Sequence, residues 1–599
     1  MPTAIVTGQP VPGSTLEADL RSLGFDVRAA GDTPEAETLI AAVPADRRVA
    51  LVDARFVGHR HALRLALTDP RYPLAAVPGA VTAQPAARQA LTRALARETS
   101  AGGGTALAVD SLADRVVTAL GADGDEVHRP ELGTLVAAVP ADPQARNEAR
   151  QSVAAVDDEA VRLKSAVKAR DGFFTTFCIS PYSRHLARWC ARRGLTPNQV
   201  TTASLITALI AAGCAATGTR AGFVAAGVLL LASFVLDCTD GQLARYALKY
   251  STLGAWLDAT FDRAKEYAYY AGLALGAARG GDDVWALALG AMVLQTCRHV
   301  VDFSFNEANH DATANTSPTA ALSDRLDGLG WTVWLRRMIV LPIGERWAMI
   351  AVLTAVTTPR ITLVVLLIGC AFAACYTTAG RVLRSVTRRA VRTDRAAGAL
   401  ADLTDSGPLA HLLGRLARRG LPGLAVPAVA LLGGAAVVAC AALTRFGGWL
   451  PVAGAALYVL TSALAVARPL KGALDWLVPP LFRAAEYGTV LALAGKAEVN
   501  GALPAAFGLV AAVAYHHYDT VYRIRTGAGS PPAWLVRAVG GQEGRTLLVA
   551  VLAAVLTAPQ FKAALTVLAV AVALVVLAES IRFWASSGAP AVHDEGEPA

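Results

Sequence analysis

The sequence predicts a mainly α, polytopic membrane protein with an N-terminal cytosolic α/β domain of Rossmann-like kind, and three observations carry this. Hydrophobic residues fill 54% of the 599 positions and mean hydropathy is +0.42, a composition of membrane rather than soluble chains. Apolar runs of bilayer-crossing length recur after about residue 195 and not before it. The first part instead alternates short buried strands with amphipathic helices.

Residues 1–141 hold the α/β pattern. TAIVTG and RRVALVDARFV read as strands, and the stretches 14–23 and 86–97 as amphipathic helices. The opening MPTAIVTGQPVPGS is too short and too interrupted for a signal peptide, so this domain is expected in the cytosol. Residues 142–194 form a charged, alanine-rich connector followed by FFTTFCISPYSRHLARWCARR, where aromatics and arginines mingle as in an interfacial amphipathic helix. Residues 195–390 form a first membrane unit, opened by Leu195-Thr196-Pro197-Asn198 with the proline where its missing donor costs nothing. Its six spans are predicted near 198–217, 221–243, 253–277, 283–304, 345–358 and 361–383, the fifth being short for a full crossing. A polar loop, 306–319, is expected near the mouth of the site. A basic linker, 391–419, leads to a second six-helix unit at 420–585, and 586–599 is expected to be a disordered tail.

The formal charge of +8 does not point to nucleic acid, because the arginines cluster beside apolar runs. Arg184, Arg188, Arg192 and Arg193 precede the first span; Arg381, Arg384, Arg388, Arg389, Arg392 and Arg395 follow the sixth, and then come Arg415, Arg418 and Arg419. An even number of spans with both flanks basic places those flanks in the cytoplasm, with anionic lipid as the expected partner. The Ala, Arg and Gly bias suggests a high-GC bacterium, and the expected location is the bacterial inner membrane. Eight cysteines form no CxxC pair and read as small buried hydrophobes.

One stretch carries chemistry. Residues 237–262, DCTDGQLARYALKYSTLGAWLDATFD, place Asp237 and Asp240 at i, i+3 and Asp258 and Asp262 at i, i+4 beside apolar runs. Each pair shares a helix face, and carboxylates near a bilayer need a compensating cation. An all-oxygen set of this kind suits Mg²⁺ or Mn²⁺ rather than zinc. A helix pair with chance acids is the plain alternative.

The pattern Asp237-x2-Asp240-Gly241-x2-Ala244-Arg245-x8-Gly254-x3-Asp258-x3-Asp262 resembles the signature of the CDP-alcohol phosphotransferases over about residues 172–385. The resemblance implies transfer of a phospho-alcohol from a CDP-alcohol to a hydroxyl, with release of CMP. It further implies that Asp237, Asp240, Asp258 and Asp262 hold two metal ions and that Asp262 is the general base. Asn198, Thr201, Gly241, Ala244, Arg245, Ser251 and Gly254 would then line the CDP pocket. Arg263, Lys265 and Arg298 are candidates for binding the acceptor, each with a plain reading as an interfacial anchor. Some members of the family are fused to a domain that makes their CDP-alcohol. Here the loop Gly8–Gly13 and Asp53 would stand at such a nucleotide site, but the loop lacks clustered glycines and a basic residue, and its prolines remove N–H donors. The domain therefore reads as nucleotidyltransferase-like and non-catalytic.

The second unit echoes the first. ARRGLTPNQV (191–200) has a counterpart in ARRGLPGLAV (417–426), and WLDATFDRAKEY (256–267) in WLVPPLFRAAEY (476–487). His299-x2-Asp302 corresponds to His516-x2-Asp519. Val478 and Phe482 stand where Asp258 and Asp262 stand, so the copy is blank. Family members pair as homodimers, and the copy is expected to take the partner's place as an intrachain pseudo-dimer. The leading donor and acceptor are CDP-diacylglycerol and an inositol- or glycerol-phosphate-like alcohol. A soluble CDP-polyol donor is the second reading, and a non-enzymatic scaffold or transporter the third.

Overall fold

The computed structural model describes residues 1–9, 11–100, 111–168, 171–312, 334, 337–387, 390–416, 421 and 423–586. Residues 587–599 of the expected tail, 313–319 of the expected 306–319 loop, and Arg388, Arg389, Arg418 and Arg419 lie outside the described residues, while 306–309 continue the helix Trp285–Asn309.

The N-terminal domain is a five-stranded sheet of β1 (Thr3–Thr7), β2 (Asp26–Ala30), β3 (Val49–Asp53), β4 (Leu74–Val77) and β5 (Ala80–Ala83) in the order β2-β1-β3-β5-β4. β1 pairs in parallel with β2 and β3, as a Rossmann-like pattern requires, but β5 runs antiparallel to both β3 and β4. The reason is local. Only Pro78 and Gly79 join β4 to β5, and Gly79 takes φ 77°, which leaves a hairpin and no crossover. β1, β3, β4 and β5 are buried along their whole lengths, with helices such as Leu112–Ala122 and Arg60–Thr68 packed against them.

Beyond the connector helices Pro143–Ala154 and Asp158–Ser165, a short π-helical turn leads into Ser180–Arg192. This helix buries Ser183 and Ala187 against the membrane unit and exposes Tyr182 and Trp189, an amphipathic placement.

The first unit is six helices: Pro197–Ala216, Arg220–Ala247, Thr252–Arg279, Trp285–Asn309, Ile343–Val356 and Pro359–Thr387. The second is Ala425–Leu443, Leu450–Ala465, Val478–Lys496, Ala502–Arg525, Gly541–Val555 (preceded by the short Ala533–Val539) and Ala558–Ser586. The packing scheme is the same in both. The first helix lies against the second and third, the second against the fifth, and the fourth against the sixth. Among the described residues six spans are long and apolar enough to cross a membrane, three in each unit. The third and fourth helices of each unit carry more ionisable residues, and many of these turn inward: Lys265, Glu266, Arg298, Arg483, Glu486 and Arg523 are all buried. An isolated helix would not tolerate such charges in lipid, whereas paired charges inside a bundle are the usual exception.

The units meet through those same helices. The first unit's fourth helix packs on the second unit's third and fourth, and the first unit's third helix packs on the second unit's fourth. Exchanging the units reproduces the contact, so the halves are related as two subunits of a symmetric pair would be. Trp285 against Phe507 and Phe305 against Trp476 fill this seam with edge-on aromatic pairs.

Candidate active site

Helix geometry brings the aspartates together. Asp237 and Asp240 lie in the last three turns of the first unit's second helix, which stops at Leu248 in the left-handed region (φ 51°). Ser251 then caps the third helix, its Oγ accepting from the Gly254 N–H at 2.9 Å, and Asp258 and Asp262 follow on one face. The turn reverses the chain, and both helices pack on the first, Pro197–Ala216, which brings their acidic ends to one place. Carboxylate oxygens of Asp237, Asp240 and Asp258 consequently lie within 4.8 Å of one another.

A cleft opens beside this cluster. Asp240 and Asp258 line it together with Asn198, Thr201, Gly241, Ala244, Ser251 and Gly254, six of the seven residues proposed for the CDP pocket. The seventh, Arg245, donates from Nε to the Ala166 carbonyl at 2.6 Å, and its guanidinium lies beside Gly241. Thr201 Oγ1 donates to Asp240 Oδ2 at 2.5 Å, which orients that carboxylate. At Gly254 a Cβ would stand 2.7 Å from Asn198 Oδ1 and 2.8 Å from Ser251 Oγ, so the first helix can approach the third only where no side chain intervenes. A capping box between Thr196 and Gln199, with Pro197 at the first helical position, fixes where that first helix begins and hence where Asn198 stands.

Sequence reasoning did not single out Lys249 and Tyr250, which also line the cleft. Tyr250 is touched from outside the membrane unit: the Arg71 guanidinium of the N-terminal domain sits 4.1 Å from its ring centroid and is held by Asp69 at 2.9 Å. Arg162 of the connector donates to the Tyr246 carbonyl, and the Tyr246 hydroxyl donates to Glu159 at 2.7 Å. The N-terminal domain thus docks on the end of the bundle where the cleft lies.

The three residues considered for the acceptor go to different places. Lys265 is fully buried against the aspartates: Nζ donates to Asp237 and to Ser204 Oγ (3.1 Å) and lies 2.9 Å from Asp262 Oδ1. Arg263 faces away, pairing with Glu266 at 3.0 Å and lying 3.4 Å from His299 and near the Tyr518 ring of the second unit. Arg298 donates to the carbonyls of Val340 and Leu341. In the N-terminal domain Asp53 is engaged by Arg55, whose Nη2 donates to it at 2.9 Å. The eight cysteines are all free.

The second unit shows which of these groups belong to the framework. Arg483 pairs with Glu486 at 2.9 Å and Arg545 with Glu486 at 2.6 Å, matching Arg263 with Glu266 and Arg346 with Glu266 at 2.9 Å. At the positions of Asp258, Asp262 and Lys265 stand Val478, Phe482 and Ala485.

Comparison with known proteins agrees with this division. Residues 194–375 match the family described as CDP-alcohol phosphatidyltransferase, and residues 394–599 match a family of unknown function. The chain is 35% identical over 131 residues to the phosphatidylinositol phosphate synthase of Streptomyces avermitilis, covering 20% of this chain and 51% of that protein. It is 30% identical over 113 residues to the archaetidylinositol phosphate synthase of Pyrococcus horikoshii, 19% of this chain and 58% of that one. With the bifunctional IPC transferase and DIPP synthase of Rubrobacter xylanophilus it shares 36% identity over 151 residues, 25% of this chain and 31% of the relative. The chain thus spans about half the length of the first of these relatives. Divalent-metal use goes with this family, and three carboxylates within reach of one ion, on two helices fixed by a tight turn, fit it. Residues 194–375 of this chain belong to the CDP-alcohol phosphatidyltransferase family.

Proposed function

We propose that the first membrane unit transfers the phosphatidyl group of CDP-diacylglycerol to a hydroxyl of a polar phosphorylated acceptor, inositol phosphate above glycerol phosphate, and releases CMP. The observation that carries this is the meeting of the carboxylate cluster and the cleft, which share Asp240 and Asp258. The preference for an inositol phosphate rests on the relatives, two of which are named as inositol phosphate lipid synthases.

In this reading Asn198, Thr201, Gly241, Ala244, Ser251 and Gly254 receive the cytidine and ribose, and Arg245 faces the diphosphate with a guanidinium suited to phosphate oxygens. Asp237, Asp240 and Asp258 hold Mg²⁺ or Mn²⁺, which when bound neutralises the diphosphate and the departing CMP phosphate. Asp262 takes the proton of the acceptor hydroxyl as its oxygen attacks the β-phosphorus. The bond from that phosphorus to the bridging oxygen breaks, and CMP leaves with the electron pair. The cleft and the N-terminal domain lie in this reading on the cytoplasmic side of a bacterial inner membrane, which the arginine-rich flanks support and where anionic lipid would face those arginines. The N-terminal domain is nucleotidyltransferase-like and non-catalytic in this reading, which the glycine-poor, proline-bearing loop at 8–13 and the engagement of Asp53 by Arg55 support. The second unit takes the place of a homodimer partner, a reading supported by the reciprocal packing of third and fourth helices.

The test is CMP release by the purified chain with Mg²⁺ or Mn²⁺, screening CDP-diacylglycerol and soluble CDP-polyols against inositol phosphate and glycerol phosphate. Release with CDP-diacylglycerol and inositol phosphate is expected. Release only with a CDP-polyol would replace the donor, and no release with any pair would return the chain to the non-enzymatic class.

A further inference from the structure

Lys265 is the least expected group at this site. A lysine fully buried among carboxylates is held there by its partners, because an ammonium removed from water without compensating charge is strongly disfavoured. Its partners are Asp237 and Asp262, together with Ser204 Oγ at 3.1 Å. Nζ also lies 5.3 Å from the ring centroid of Trp347, within cation–π range. The carboxylates within 4.8 Å of one another are Asp237, Asp240 and Asp258; Asp262 stands outside that set and is engaged by the lysine.

Six of the twelve positions 256–267 differ between the two units, and the three that carry charge in the first unit lose it in the second. Asp258, Asp262 and Lys265 become Val478, Phe482 and Ala485, while Arg263, Glu266 and Tyr267 persist as Arg483, Glu486 and Tyr487. The lysine thus goes with the acids and not with the framework. A divalent ion held by Asp237 and Asp262 would draw on the same two carboxylates that the ammonium contacts and would stand beside a fixed positive charge.

Building on the proposed reaction, we propose that Lys265 is a built-in second cation, so that this chain takes one divalent ion, at Asp237, Asp240 and Asp258, where the family resemblance implies two. Lys265 is a positioning residue in this scheme: it sets the charge around Asp262 and fixes its orientation, and it touches no substrate atom.

The experiment counts ions and does not depend on turnover. The full chain, purified in detergent, is stripped with a chelator and titrated with Mn²⁺ by calorimetry, with electron paramagnetic resonance on the same samples. One Mn²⁺ per chain with an uncoupled signal is expected for the unmodified protein and for Lys265→Arg. Lys265→Met, close in volume and without charge, should bind two and show an exchange-coupled pair. Two ions in the unmodified protein, or a single uncoupled ion in a folded Lys265→Met, would overturn the proposal. If Lys265→Met does not fold, the count in the unmodified protein and in Lys265→Arg still decides it. The two readings fail separately: one bound ion without CMP release from any CDP-alcohol removes the transferase reading alone, and two bound ions with release removes this inference alone.

Discussion

Replacing Glu486 by Gln should destabilise the second unit severely while leaving the chemistry of the first unit intact in the molecules that stay folded. Glu486 is 2% exposed; its Oε1 accepts from Arg545 Nε at 2.6 Å and its Oε2 from Arg483 Nη1 at 2.9 Å and Arg545 Nη2 at 3.2 Å. The same two guanidiniums also reach Asp405, at 3.5 Å and 2.6 Å, so two buried cations face two buried anions. An amide at position 486 leaves two cations on one carboxylate and turns an N–H₂ group toward one of them. Removing one partner from a buried ion pair costs about 3–5 kcal/mol, mostly the penalty of the charge left behind. That is a factor of about 10² to several times 10³ in the unfolding equilibrium. Unfolding in detergent titrated with SDS and followed by tryptophan fluorescence would report it, since Trp476 is completely buried and lies in this unit. Mn²⁺ affinity per folded molecule should not change. An unfolding free energy within about 0.5 kcal/mol of the parent, the range of an ordinary surface substitution, would refute the view that these shared charges are framework.

Three further outcomes follow from the site. Asp262→Asn should lower CMP release by about 10² to 10⁴-fold while Mn²⁺ still binds, because loss of a general base leaves the three-carboxylate set whole; unchanged turnover would remove Asp262 from the reaction. Gly254→Ala should raise KM for the CDP-alcohol by about tenfold with a smaller effect on kcat, since its Cβ would meet Asn198 Oδ1 at 2.7 Å and push the first helix from the cleft. Equal steady-state constants for the variant and the parent would count against that wall of the cleft. Arg71→Ala should loosen the N-terminal domain by about 0.5–1 kcal/mol and speed proteolysis of the connector by a few-fold; a digestion rate equal to the parent's would show that the contact with Tyr250 contributes nothing to docking.

Much of the membrane unit is legible because the bilayer forces a simple code. Apolar length marks the spans, and Thr196, Thr219 and Ser251 cap three of the helices, so the first four predicted segments fall within a few residues of the observed ones. The cleft is legible because its residues sit on two adjacent helices and the turn between them. Only the Asn198–Thr201 turn comes from farther away, and there the family pattern supplied what spacing does not. Contacts of Arg71 with Tyr250, or of His299 with Tyr518 at 2.5 Å, join segments with no shared period, and no local signal announces them. In the N-terminal domain the Pro78-Gly79 hairpin signal was present in the sequence, and it marks where the parallel pattern gives way to antiparallel pairing.

The fate of Arg263 and Lys265 shows where elementary geometry could have gone further. Residues two apart on a helix point about 200° away from each other, so the two cannot serve one pocket. Lys265 lies three positions after Asp262 and shares its face, whereas Arg263 lies three positions before Glu266 and shares that one. One helix therefore carries two charge systems on adjoining parts of its surface. Lys265 faces Asp237 and Asp262, while Glu266 gathers Arg263, Arg346 and the Tyr270 hydroxyl. The blank copy keeps the Arg–Glu–Arg part of the second system, as Arg483, Glu486 and Arg545, and loses the first. Duplication of the bundle thus demands only the charges that hold helices together, and the charges that the copy drops are those that a reaction, and not a fold, must explain.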